Sequence, residues 1–162
     1  MLYVISDTHD NDDAILRAVD LIAQGRPSRV VHCGDICSPA TLELFKGLPL
    51  SLAYGNNDTN KTGLQRKAAA LGFKIADELK FRYLRKSFLV YHGTKRAVLE
   101  KHIDSQFFDY ILTGHTHERR NEKIGRTRVI NPGGLYAAAD YSIAALDVRK
   151  DEVKFIPVAK SY

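Results

Sequence analysis

At 162 residues, with 44% hydrophobic and 27% charged side chains, the chain has the length and make-up of one ordinary globular domain spanning 1–162, able to bury roughly two thirds of its unfolded surface. Its formal charge of +5 is spread over short clusters such as Arg85-Lys86, Lys95-Arg96 and Arg119-Arg120, which describes a solvated basic face open to anionic substrates more than a nucleic-acid track. No apolar run approaches the roughly 18 residues of a membrane span, and Met1 leads into Leu2–Ile5 without room for a secretory leader. Cys33 and Cys37 have no second pair to complete a disulfide framework or a zinc ribbon. A cytoplasmic location is the expectation.

In chain order, Leu2–Ser6 reads as a strand and Asp12–Gln24 as a helix, because Ile15, Ala18, Val19 and Ile22 recur on one face. Asp10 and Asn11 are placed to cap that helix, and Gly25 and Pro27 stop it. Arg29–Cys33 is a β-branched run of the kind buried on both faces in parallel sheets. Ser38 and Pro39 then predict a helix reaching about Lys46, ended by Gly47. Leu50–Tyr54 is a third strand, a helix over about Gly63–Leu71 ends at Gly72, and Phe73–Ile75 begins a short strand.

The second half is richer in strands. Leu79–Leu84 and Ser87–Tyr91 are predicted to pair through a turn at Arg85-Lys86. A helix over Lys95–Ile103 precedes the strand Tyr110–Thr113. Arg120–Ile124 with Thr127–Asn131 forms a hairpin near Gly125, and Tyr141–Val148 with Val153–Val158 forms another. Two packed mixed sheets with helices outside fit this order. Asn131-Pro132-Gly133-Gly134 is a turn after a strand, positioned to lie beside whatever the strand ends build.

Five of these apolar runs end in metal-competent residues: Asp7 and His9, Asp35, Asn56, His92, and His115 with His117. Ligands bind outside the carboxyl ends of strands in α/β sheets, so ends remote in sequence can converge. While the chain stays extended, residues at i and i+2 point the same way, which lets Asp7 with His9 and His115 with His117 each offer a ligand pair. Imidazole mixed with carboxylate suits manganese, iron, zinc or nickel, not calcium. His32 and His102 read as packing or surface residues, and Arg119-Arg120 as a solvated turn near enough to attract phosphate.

Asp7-Thr8-His9, Gly34-Asp35, Gly55-Asn56-Asn57-Asp58, His92-Gly93 and Gly114-His115-Thr116-His117 resemble, in order, the motifs of the calcineurin-like metallophosphoesterase superfamily, in particular its small single-domain phosphodiesterase branch. The resemblance implies a four-layer α/β/β/α sandwich of two mixed sheets flanked by helices. It further implies two divalent transition-metal ions, manganese first, with nickel, iron or zinc as alternatives. Asp7, His9 and His117 would hold one ion and Asn56, His92 and His115 the other, with Asp35 bridging and a metal-bridging hydroxide as nucleophile.

On the same basis Asp35 and Asp58 are the candidate catalytic carboxylates and Asn56 and Asn57 the candidate substrate contacts. Two departures stand out. Asn57 replaces the His that many relatives place before the Asp and use as a general acid, and Thr94 replaces the second His of a His-Gly-His. Asn can donate a hydrogen bond but cannot deliver a proton near neutral pH, so esters with good leaving groups are favoured. The expected substrate is a small phosphodiester, ahead of monoesters and of nucleic acid, in a monomer or a homodimer. The alternative is an interaction scaffold resembling a retromer subunit, with a retained metal site and little catalysis.

Overall fold

Strand β1 (Leu2–Ile5) is buried at every position, and its alternate side chains enter two different apolar clusters. In the computed structural model, which describes residues 1–160, Tyr3 and Ile5 face outward with Val30, Leu52 and Ile143. Leu2 and Val4 face inward with Val31, Ala144 and Leu146. The outward cluster is covered by Ile15, Ala18 and Ile22 of α1 (Asp12–Gln24), by Leu42 and Phe45 of a 3-10 turn (Ala40–Phe45), and by Leu64 and Ala68 of α2 (Lys61–Ala70). Each fully buried Ile or Leu here contributes about 1.5–3 kcal/mol.

The first sheet has the order β11-β10-β1-β2-β3-β4, with β2 (Arg29–His32), β3 (Leu50–Ala53), β4 (Lys74–Ala76), β10 (Ser142–Asp147) and β11 (Glu152–Pro157). Strands β1 to β4 run parallel, and the hairpin β10-β11 closes one edge antiparallel. The second sheet has the order β5-β6-β7-β9-β8, from β5 (Leu79–Tyr83), β6 (Lys86–Val90), β7 (Tyr110–Leu112), β8 (Arg119–Ile124) and β9 (Thr127–Pro132). Here β6, β7 and β9 are parallel.

Phe88, Val90, Tyr110, Leu112 and Ile130 of the second sheet meet the inner face of the first. Leu89, Ile111 and Val129 point the other way, against Leu99 and Ile103 of α3 (Arg96–Ser105). Helices, sheet, sheet and helix are therefore the four layers the sequence leads one to expect. The parallel strands of both sheets end toward one rim, where the loops carrying the candidate ligands meet.

Four local expectations change. The segment after Pro39 forms six residues of 3-10 helix, not an α-helix to Lys46. Asp10, expected to cap α1, instead receives the Ser38 N–H at 3.0 Å and the Thr41 hydroxyl, which holds that turn tight. Asn11 alone caps α1, through Ala14 N–H. Helix α2 begins at Lys61, earlier than Gly63, because the Asn60 side chain accepts from Gly63 N–H. The β5-β6 turn lies at Leu84-Arg85, with φ of 48° and 65°, so Lys86 already pairs with Tyr83; two left-handed residues match the strand twist.

Candidate metal centre

The parallel strands deliver their ligands one loop at a time: Asp7 and His9 after β1, Asp35 after β2, Asn56 after β3, His92 after β6, and His115 and His117 after β7. Backbone bonds lace the loops together. Asp7 N–H donates to Gly34 O, Thr8 and His9 N–H to Asp35 O, and Gly114 N–H to His92 O. Two further bonds cross between the sheets. Asp7 Oδ2 accepts His115 N–H at 3.0 Å, and His92 Nδ1 lies 2.8 Å from Cys33 O.

The extended pairing expected for Asp7 with His9 and for His115 with His117 does not occur. Asp7, His9, Asp35, His115 and His117 all have left-handed φ, between 43° and 70°. The chain turns sharply at each of these five residues, and the histidines associate across sheets or across motifs. The His9 and His117 rings lie 5.5 Å apart, and those of His92 and His115 5.2 Å apart. His117 Nε2 is 3.2 Å from Asp7 Oδ1. Asp35 Oδ2 sits 3.4 Å from both His9 Nε2 and His92 Nε2, and His92 Nε2 is 3.2 Å from Asn56 Oδ1.

Asp7 Oδ1 and His9 Nε2 are buried and make no hydrogen bond, a costly condition for polar atoms. They belong to two overlapping groups able to hold a cation, Asp7 with His9 and His117, and Asp7 with Asp35 and His92. Ligand atoms about 2.1 Å from a common ion stand about 3.0–3.4 Å from one another in octahedral or tetrahedral arrangement. His117–Asp7, His9–Asp35 and His92–Asp35 have that spacing and His92 Nε2 stands wider, 3.9 Å from Asp7 Oδ1, so small shifts of these side chains let the residues fit divalent cations. The bond from Nδ1 to Cys33 O fixes the His92 tautomer with Nε2 free to ligate.

Charge in the site follows from its hydrogen bonds. Burial works against the Asp35 carboxylate, yet His92 and both the side chain and backbone N–H of Asn57 hold it well below the usual carboxylate range. Burial works against protonated His92 as well, but Asp35 and Asp7 outweigh it and raise its pKa. Behind them, burial and then the charge of His92 push His32 down to about 3. Its Nδ1 accepts Gly34 N–H, so Nε2–H faces Thr8 Oγ1 at 3.1 Å.

Asp58, a candidate catalytic carboxylate, is held in place by backbone amides. Its Oδ2 accepts Asp35 and Gly55 N–H and its Oδ1 accepts Cys37 N–H, so this buried carboxylate ties the second and third motifs together. Asn57 gives its backbone N–H and one side-chain hydrogen to Asp35, both at 2.8 Å, leaving one amide hydrogen for a ligand. Gly55 and Gly114 allow close approach: a Cβ on the first would strike Asp35, and on the second Ser6 and Asp7. The Asn131 turn does lie beside the site, through Asn131 Nδ2 to Gly114 O and Leu135 N–H to Asp7 O.

Several site residues carried no sequence signal. Ser6 donates to Asp7 Oδ2 at 2.6 Å, Cys37 Sγ lies 3.6 Å from His9 Nδ1, and the Tyr136 ring lies 4.8 Å from that of His9. Tyr136, exposed just past Gly134, is the one that an exposed aromatic after a turn could have flagged. Arg119 bonds Ser142, Arg120 pairs with Glu122, and His102 with Glu78. Among the described residues no helix is long and apolar enough to cross a membrane.

Residues 1–151 match the model of the calcineurin-like phosphoesterase superfamily domain. A curated phosphodiesterase of Methanocaldococcus jannaschii is similar at 32% identity over 159 residues, 94% of this chain and 96% of that one. A solved archaeal phosphodiesterase superposes with a TM-score of 0.92 at 31% identity, covering 97% of this chain and 99% of its own. Vps29 of Entamoeba histolytica, solved with zinc, shares the fold at a TM-score of 0.68 and 19% identity, with 97% of each chain covered.

Proposed function

The chain belongs to the calcineurin-like phosphoesterase superfamily and is a hydrolase of its metal-binding kind; from that premise we propose that it hydrolyses small phosphodiesters in the cytoplasm, as a single domain with a dinuclear centre. The observation that carries the reading is the pair of buried, unpartnered atoms Asp7 Oδ1 and His9 Nε2 within a ring of acceptors. Asp7, His9 and His117 would hold one ion, and Asn56, His92 and His115 the other, with Asp35, equidistant from His9 and His92, shared between them. Manganese is the first choice, ahead of nickel, iron and zinc.

Two divalent ions held there would supply an activated hydroxide as nucleophile and positive charge for the phosphoryl oxygens. The chain's own residues do the rest. Asn57 offers its remaining amide hydrogen to a phosphate oxygen and holds Asp35 ionised. Asp58 positions the Asp35 and Gly55 loops. No side chain at position 57 can protonate a leaving group, so activated aryl esters react fastest. The likeness to Vps29 extends to the fold alone and gives a scaffold reading no separate support.

The deciding experiment measures metal content together with hydrolysis of bis(p-nitrophenyl) phosphate, with and without chelator. About two equivalents of metal and chelator-sensitive turnover are expected. Metal-loaded protein that hydrolyses neither aryl diesters nor aryl monoesters from about pH 6 to 9, the span in which a bound water ionises, would end the proposal.

A further inference from the structure

Past His115 and Thr116 the rim opens into a cleft of about 730 Å³ between α3 and β8, a volume in the usual range for small-ligand sites. Its apolar wall is Leu99, Ile103 and Ile124, which also pack against the outer face of the second sheet. At its mouth, Thr94 Oγ1 donates to Asn56 Oδ1 at 3.3 Å, so the cleft is continuous with the candidate metal residues.

The charges around it leave no positive excess. Arg96 is held by Glu100 at 2.6 Å and Arg120 by Glu122 at 2.7 Å, while Asp104 adds another carboxylate. A track for a chain of phosphates needs a surplus of positive charge, and no surplus exists here. An apolar wall between neutralised ion pairs suits a flat, uncharged group.

We infer that this cleft is the subsite for one ester substituent of the diester, and that it selects an uncharged ring over a small alkyl group or a second phosphate. The inference rests on the phosphodiesterase reading.

Two measurements separate their fates. Methyl NMR of the protein titrated with diphenyl phosphate should shift the methyl signals of Leu99, Ile103 and Ile124, while dimethyl phosphate leaves them in place. In kinetics, Leu99→Trp fills the cleft and should raise KM for bis(p-nitrophenyl) phosphate about tenfold or more with kcat nearly unchanged, the signature of lost ground-state binding. Metal content should stay at the parent value. Ile124→Trp, filling from the opposite wall, should do the same.

Methyl signals indifferent to diphenyl phosphate, or an unchanged KM in both folded variants, overturn the subsite. A fall in kcat and metal content together overturns it too, because the helix would then be supporting the centre instead of binding substrate. Methyl shifts without any turnover keep the ring-binding cleft and overturn the phosphodiesterase reading.

Discussion

The two sheets bring different chemistry to the same rim. The first supplies Asp7, Asp35, Asn56, Asn57 and Asp58, with His9 its one imidazole among the candidate ligands, and the second supplies only imidazoles, His92, His115 and His117. Carboxylates crowded at one sheet edge repel one another, and three histidines at another bind an ion weakly without negative charge nearby. Docking the inner faces through Val4, Val31, Phe88 and Leu112 joins the halves. The same apolar contacts that stabilise the fold thus assemble the centre, and the bonds from His115 N–H to Asp7 and from His92 to Cys33 O set the alignment between halves.

The strongest way to break this division is on the acidic side. Asp35→Asn should lower kcat/KM by about a thousandfold or more, roughly 4 kcal/mol of transition-state stabilisation, in a chelator-controlled diester assay. Activity within tenfold of the parent would place the bridging charge elsewhere. On the imidazole side, His117→Ala and His115→Ala should each cost about a hundredfold and about one equivalent of metal. Elemental analysis checks the second expectation, and His115→Ala retaining both equivalents would break the assignment of the two imidazoles to different ions.

Asp58→Asn should act on architecture before chemistry. Its carboxylate accepts three buried backbone N–H groups, so the loss should be about 1–3 kcal/mol in urea unfolding, with a smaller fall in turnover than Asp35→Asn. Turnover abolished at unchanged stability would instead make it a reacting group.

The last effect is one of pH and concerns His32. Its folded pKa of about 3 lies below the unfolded value of about 6.5. Between those values the unfolded chain binds the extra proton, so the stability from this neutral buried His is complete above about pH 6.5 and falls as the pH drops toward 3, by at most about 1.4 kcal/mol per unit. His32→Asn should flatten that decline, and an unchanged acid slope would assign it to the carboxylates alone.

The four layers and the convergence of the strand-end loops were legible because they rest on periodicity and on strand ends. The α1 face shows this, with Ile15, Ala18 and Ile22 buried as its spacing requires. Contacts that depend on tertiary docking were not legible. No local pattern marks Cys33 O as the partner of His92, or Asp10 as the anchor of the 3-10 turn. Asp58 shows the same limit, since its motif gives the residue type but not the three amides that surround it. The i, i+2 argument failed because it assumed extended backbone where the ligands are left-handed.

That left-handed backbone also limits which sequences this centre can drift into. Five of its candidate ligands occupy a conformation that Asp, Asn, His and Gly enter at modest cost and β-branched residues resist. A lineage released from catalysis would shed these positions to Asn or Gly, keeping the loop paths intact, long before it accepted Val, Ile or Thr. The same bias makes Asn the informative replacement at the aspartates, because it removes the charge while leaving the turn in place.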